Sequence, residues 1–79
     1  MGIRVSDKKA LLMTIGENIR RIRKSKKMTQ ADLAFVLNAY PGKVGRTERG
    51  EYDFKISSLF VIAEGMDVDI CELLISKTS

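Results

Sequence analysis

The chain contains no histidine and only one cysteine, Cys71. Without histidine there is no imidazole for general-base work or metal ligation near neutral pH. A single cysteine excludes an internal disulfide, and nothing points to an oxidising compartment. No glycine-rich loop follows a strand to cradle phosphate, and 79 residues leave little room for a substrate pocket. An enzyme is therefore not expected, and neither are catalytic residues, a cofactor or a small-molecule ligand. No apolar run approaches the roughly 18 residues of a membrane span. The stretch from Ala10 to Ile15 follows Arg4, Lys8 and Lys9 as an export signal would, but it is too short. Gly16 and Glu17 close it without a cleavage site. Glu64, Asp67, Asp69 and Glu72 do not imply a metal, because Asp69 and Glu72 already suit a helix cap. Repeats, low-complexity segments, linkers and long strand-like alternation are missing too.

What is present is a soluble, foldable composition, with 44% hydrophobic and 30% charged residues. The length implies one small domain over residues 1–79, burying only about 60–65% of its unfolded surface. Such a domain is expected to gain stability from oligomerisation. The charge is uneven. Residues 1–50 hold 12 Lys/Arg against 4 Asp/Glu, whereas residues 51–79 hold 2 against 6. One half is suited to a polyanion and the other to a different task.

Five helices account for nearly everything. Leu12, Ile15, Ile19 and Ile22 lie at helical spacing on one face, with Ser6 as a cap ahead of Asp7 and Lys8. Thr14 and Glu17 make a second capping box, and Gly16 weakens a helix interior. The first helix therefore either runs unbroken from about Asp7 to Lys26 or restarts at Thr14; the spacing favours continuity. A second helix is expected from Gln30 to about Leu37. Asn38 tolerates the left-handed conformation of the turn that follows. Pro41 suits the first turn of a third helix, which ends near Arg49 with Gly50 just beyond it. A fourth helix runs from about Lys55 to Gly65 with Ile56, Leu59, Ile62 and Ala63 inward. Asp69 and Glu72 form a capping box for a fifth, with Val68 and Leu73 as its staple.

The run Met28-Thr29-Gln30-Ala31-Asp32-Leu33-Ala34, followed by Val44 and Arg46-Thr47-Glu48-Arg49-Gly50, carries the most information. Thr29 is an N-cap, Asp32 the acidic N3 partner, and Met28 with Leu33 a hydrophobic staple. Ala34 is small enough for a second helix to cross closely. Two short helices around a tight turn, beside a basic face, are a means of reaching into a DNA groove.

This T-Q-x-x-L-A … V-x-x-x-E-x-G pattern resembles the Cro/repressor-type (Xre) helix-turn-helix family over residues 15–74. Residues 1–14 are then an N-terminal extension and residues 75–79 a tail. The resemblance implies an all-α, compact five-helix, lambda-repressor-like domain whose second and third helices form the helix-turn-helix. It further implies a cytoplasmic protein of bacterial or phage type, associated with the nucleoid when bound. The myristoylation-like pattern at Met1-Gly2-Ile3-Arg4-Val5-Ser6 is then a chance match.

Carried over by position, Pro41, Gly42, Lys43 and Arg46 face the base edges. Arg46 can bond guanine O6 and N7 together, and Lys43 can reach a base or a phosphate. Gly45 is expected on the same exposed side. Pro41 and Gly42 depart from the family, where hydrogen-bonding side chains usually stand, so DNA shape must contribute to specificity. Gln30, Thr29, Tyr40, Arg49 and Lys27 are candidate phosphate contacts; Tyr40 alternatively packs on the second helix. Arg23 matches the family arginine that pairs with the glutamate at Glu48.

The C-terminal half carries Phe60, Val61, Ile70, Leu74 and Ile75, which either form a two-fold homodimer interface or complete the core. Phe35 and Val36 are read as a seat for the extra N-terminal residues. Cys71 is read as a small buried thiol rather than a redox cross-link.

The implied function is a sequence-specific regulator that binds double-stranded DNA as a homodimer on a pseudo-palindromic operator. Restriction–modification controllers, which activate and repress their own operon, fit best by size and plan. The alternative is an antitoxin that binds a toxin and autoregulates through DNA; it predicts a long toxin-wrapping segment, and only four or five residues follow the fifth helix.

Overall fold

A computed structural model describes residues 5–75, with side chains from residue 7 onward. Among the described residues there are five helices and no strand: α1 (Val5–Ser25), α2 (Gln30–Val36), α3 (Pro41–Glu48), α4 (Ile56–Gly65) and α5 (Cys71–Leu74). None is long and apolar enough to cross a membrane. The first four residues and the tail beyond residue 75 lie outside this description.

Helix α1 is unbroken through Thr14 and Gly16, so the restart is not used. It already includes Val5, which puts Ser6 inside the helix rather than at its cap. The stripe Ile15, Ile19 and Ile22 is buried, and α1 packs against α3 and α5 while α2 packs against α3. Leu33, Ala34, Val44, Leu59, Ile62, Ala63, Met66 and Leu73 complete one core. Fully burying a side chain such as Leu33 or Leu73 contributes roughly 1.5–3 kcal/mol. Ile56, expected to point inward, is 68% exposed: its spacing puts it on the side of Leu59 and Ala63, but as the first residue of α4 it stands beyond the core that covers them.

The first four helices all end the same way. Each closes with a 6→1 and a 5→2 backbone bond around one left-handed residue, the Schellman arrangement. For α1 these are Met28 N to Arg23 O and Lys27 N to Lys24 O, both 3.0 Å. For α3 they are Glu51 N to Arg46 O and Gly50 N to Thr47 O. The left-handed residues are Lys27, Asn38, Gly50 and Asp67. Each turn thus satisfies the carbonyls of the helix it ends and reverses the chain sharply.

Gly16 has a structural reason that helix propensity obscures. A Cβ there would stand 2.5 Å from the carbonyl oxygen of Glu48 and 2.7 Å from that of Thr47. Only glycine lets the end of α3 approach α1 this closely. Asn18 makes the second long-range tie. Its buried amide donates to the carbonyls of Leu73 and Ile75, both at 2.8 Å, and accepts from Arg21.

Helix α5 departs from expectation. It is four residues long, and its N-cap position is Ile70, in helical conformation, with no side-chain cap. Asp69 only accepts a long bond, 3.4 Å, from Cys71 N, so the Asp69–Glu72 capping box does not form. Its position depends on Leu73 in the core and on Asn18.

Candidate nucleic-acid interface

The helix-turn-helix is built from its caps upward. Thr29 is extended, its hydroxyl accepts from Asp32 N at 3.0 Å, and Asp32 accepts from Thr29 N at 2.8 Å. Bonds to the Asp32 carboxylate, from the Thr29 backbone amide first and the Thr29 hydroxyl second, hold it below its usual range. Asn38 takes the left-handed turn and Pro41 occupies the first turn of α3, where a missing amide costs nothing. Val44, Thr47 and Glu48 are buried against α1 and α2; Pro41, Gly42, Lys43 and Arg46 are left exposed. That exposed face is the one assigned to the base edges.

The angle of α3 is held by a buried charge network. Arg23 Nε donates to Glu48 Oε2 at 2.6 Å and Nη2 to Oε1 at 3.2 Å. Arg23 Nη1 donates to the Met28 carbonyl at 2.8 Å, and Gln30 Nε2 donates to Glu48 Oε1 at 3.1 Å. Arg23 and Glu48 are 6% and 8% exposed. One carboxylate therefore gathers α1, the start of α2 and the end of α3. The other cations of the basic run, Arg20, Arg21, Lys24, Lys26 and Lys27, are exposed.

A second cluster lies just past α3. Arg46 sits over the Tyr52 ring, 4.9 Å from its centroid, and Lys43 over the same ring at 5.7 Å. Glu51 receives Arg49 Nε at 2.9 Å and lies 3.6 Å from Arg46 Nε. The bond from Arg49 holds the Glu51 carboxyl below its usual range against some desolvation, and Glu51 in turn raises the Arg49 guanidinium. Because the folded value is depressed, this pairing is intact above the ordinary carboxylate range and is lost as pH falls through the lowered value. By sequence Glu51–Asp53 is simply the connection between the third and fourth helices. The available signal was an aromatic residue two places beyond a helix-ending glycine, where a reversing chain returns along the helix it has left.

Other candidates stand as follows. Tyr40 is 57% exposed, caps α3 without a side-chain bond, and lays its ring against Gly42. Lys27 is exposed in the α1–α2 turn. Gly45 is buried, not exposed: Arg49 and Gln30 cover it, at 3.3 and 3.6 Å from the position of a Cβ. Phe60, Val61, Leu74 and Ile75 are exposed, whereas Ile70 is half-buried against the core. Cys71 is exposed rather than buried: two places before the buried Leu73, it falls on the other side of α5.

Phe35 is 87% exposed, and none of the described N-terminal residues covers it. The start of α1 instead packs beside the α3–α4 loop, where Lys8 meets Asp53 at 2.7 Å. Among the described residues no three acidic or cysteine side chains gather as a metal site.

No family profile matches the chain. The restriction-modification controller protein C.AhdI from Aeromonas hydrophila is 30% identical, with a TM-score of 0.76, over 81% of this chain and 97% of that one. A mutant of the controller protein C.Esp1396I is 34% identical, with a TM-score of 0.74, over 82% of this chain and 91% of that one. An immunity repressor protein of Bacillus phage phi105 is 30% identical over 66 residues, 84% of this chain. This chain spans 46% of that repressor's length, just under half. The fold, the helix-turn-helix and these relatives define a class of transcriptional regulators rather than enzymes. The chain belongs to the Cro/repressor-type helix-turn-helix family.

Proposed function

We propose that this chain is a sequence-specific DNA-binding regulator that acts as a homodimer on a pseudo-palindromic operator. The observation that carries the reading is the outward face of α3, Pro41, Gly42, Lys43 and Arg46, on a helix whose angle the Arg23–Glu48–Gln30 network holds. Arg46 reads a guanine through O6 and N7, while Lys43 reaches a neighbouring base or phosphate. Pro41 and Gly42 offer no side-chain hydrogen bond, so the remaining specificity comes from DNA shape. Thr29, Gln30, Tyr40, Lys27 and Arg49 lie around this face as phosphate contacts, helped by the free amides at the start of α2. Likeness to two controllers over nearly their whole length supports control of a restriction–modification operon, the chain's own, as the finer role.

Selection from a random duplex pool tests this. The expected product is an inverted repeat with half-sites about ten base pairs apart. On it, Arg46→Ala should cost about 1–3 kcal/mol, confined to one base position. Weak, salt-sensitive binding to every sequence alike would reduce the basic face to a non-specific dock.

The dimer reading rests on Phe60, Val61, Leu74 and Ile75, apolar and 40–53% exposed on a chain this small. Two-fold pairing through them sets the α3 helices roughly one DNA turn, about 34 Å, apart. Sedimentation should give a dimer at tens of micromolar, and Phe60→Glu should return it to monomer. A wild-type monomer at that concentration excludes the arrangement.

A further inference from the structure

We propose that Tyr52 and Glu51, on the loop after α3, determine DNA specificity by holding Arg46 and Lys43 in reading position; the proposal rests on the base-reading role of α3. Of the four residues on its outward face, only Lys43 and Arg46 carry side chains able to hydrogen-bond a base. Both stand on one ring: Arg46 at 4.9 Å and Lys43 at 5.7 Å from the Tyr52 centroid. The residues are one helical turn apart, so a single aromatic platform organises every polar reader on that face.

Arg46 is held at two points. Its Cζ lies over the Tyr52 ring, and its Nε is 3.6 Å from Glu51. With Nε beside Glu51, Nη1 and Nη2 are the pair that can match guanine O6 and N7. An exposed arginine without such supports loses rotamer freedom on every binding event; one already held loses less.

The platform is itself anchored. Tyr52 is half-buried, and the loop is fixed on both sides of it. Gly50, at φ +75°, lies against Met13 of α1, where a Cβ would come within 3.0 Å. Asp53 pairs with Lys8 at 2.7 Å. The N-terminal turns of α1 thus support the loop that carries the ring. Glu51 also takes the Nε of Arg49, and its own charge opposes close approach of phosphate, which penalises binding where no base contact compensates.

The test compares affinities for three duplexes: the selected operator, the operator with its Arg46-contacted guanine replaced, and an unrelated sequence. Tyr52→Leu should lose about tenfold of the discrimination at the guanine. Its binding to the unrelated duplex should stay within about twofold, and Tyr52→Phe should behave as wild type. In an Arg46→Ala background, Tyr52→Leu should change nothing further at that position. Glu51→Gln, exposed and so independent of folding, should raise affinity for the unrelated duplex and lower the same discrimination ratio. A selective wild-type protein whose Tyr52→Leu and Glu51→Gln variants discriminate as well as before overturns this proposal alone, as does uniform weakening on all three duplexes. A wild-type protein that selects no sequence removes the base-reading role and this proposal with it.

Discussion

Arg23→Ala should lower the melting temperature by roughly 12 °C or more and weaken DNA binding with it. The substitution strips the partner from a carboxylate that is 8% exposed and leaves the Met28 carbonyl without its donor. Breaking a buried pair from one side costs about 3–5 kcal/mol, and each kcal/mol moves a domain of this size by about 4–8 °C. Small domains sit near the lower end of the usual 5–15 kcal/mol, so much of the total stability is at stake. Arg23→Lys should fall between, because an ammonium cannot reproduce two parallel bonds to Glu48 and a third to Met28. The informative control is the pair replaced together by Arg23→Met and Glu48→Leu. Apolar substitutes for a buried ion pair are often neutral or stabilising. This variant should regain most of the melting temperature while operator affinity stays low, since the angle of α3 is no longer set by a bidentate contact. A fully stable Arg23→Ala protein rules the brace out.

Gly16→Ala should destabilise, against the sign that helix propensity assigns. In an ordinary helix interior the change gains up to about 1 kcal/mol. Here the new methyl carbon would lie 2.5 and 2.7 Å from two backbone carbonyl oxygens of α3, neither a flexible side-chain end that can swing away. Overpacking of this kind costs roughly 1–3 kcal/mol, and Gly16→Val should exceed that. Ala10→Gly supplies the control, since Ala10 is exposed in the same helix. It should cost about 1 kcal/mol for backbone entropy. The two substitutions exchange the same residues in opposite directions within α1, and both should lower the melting temperature. If Gly16→Ala melts higher than wild type, the close approach of α1 and α3 is not real.

These two sites mark where local reading succeeds and where it stops. Thr29, Asp32, Asn38, Pro41 and Gly50 were legible because caps and turns are decided within four or five residues of chain. The core stripe of α1 was legible from spacing alone. Arg23 and Glu48 are 25 residues apart, and only the family resemblance paired them. Gly16 and Asn18 had no comparable signal, because each acts on a group far away in sequence; Tyr52 had only its place after a helix-ending glycine. Periodicity also misjudged a margin: Ile56 has the right spacing for the inward face, yet as the first residue of α4 it stands beyond the core. Helix α5 shows the same limit. A capping box was readable at Asp69 and Glu72, but a four-residue helix pinned by a distant asparagine does not need one.

The Asn18 tie also bears on how the chain reaches its fold. Its amide, near the middle of the longest helix, waits for two carbonyls 55 and 57 positions later. Ile19, next to it, is fully buried, as is Leu73. The helix-turn-helix and its caps can form from short-range contacts, on the fast side of the range for helical proteins. Closing the core around α1 is a long-loop step whose entropy cost comes before its contacts form. On the ribosome, the side of the first helix that meets α5 would remain uncovered until residue 75 has cleared the exit tunnel. The helix-turn-helix draws on local contacts, and the last wall of the core on contacts that close almost the whole chain.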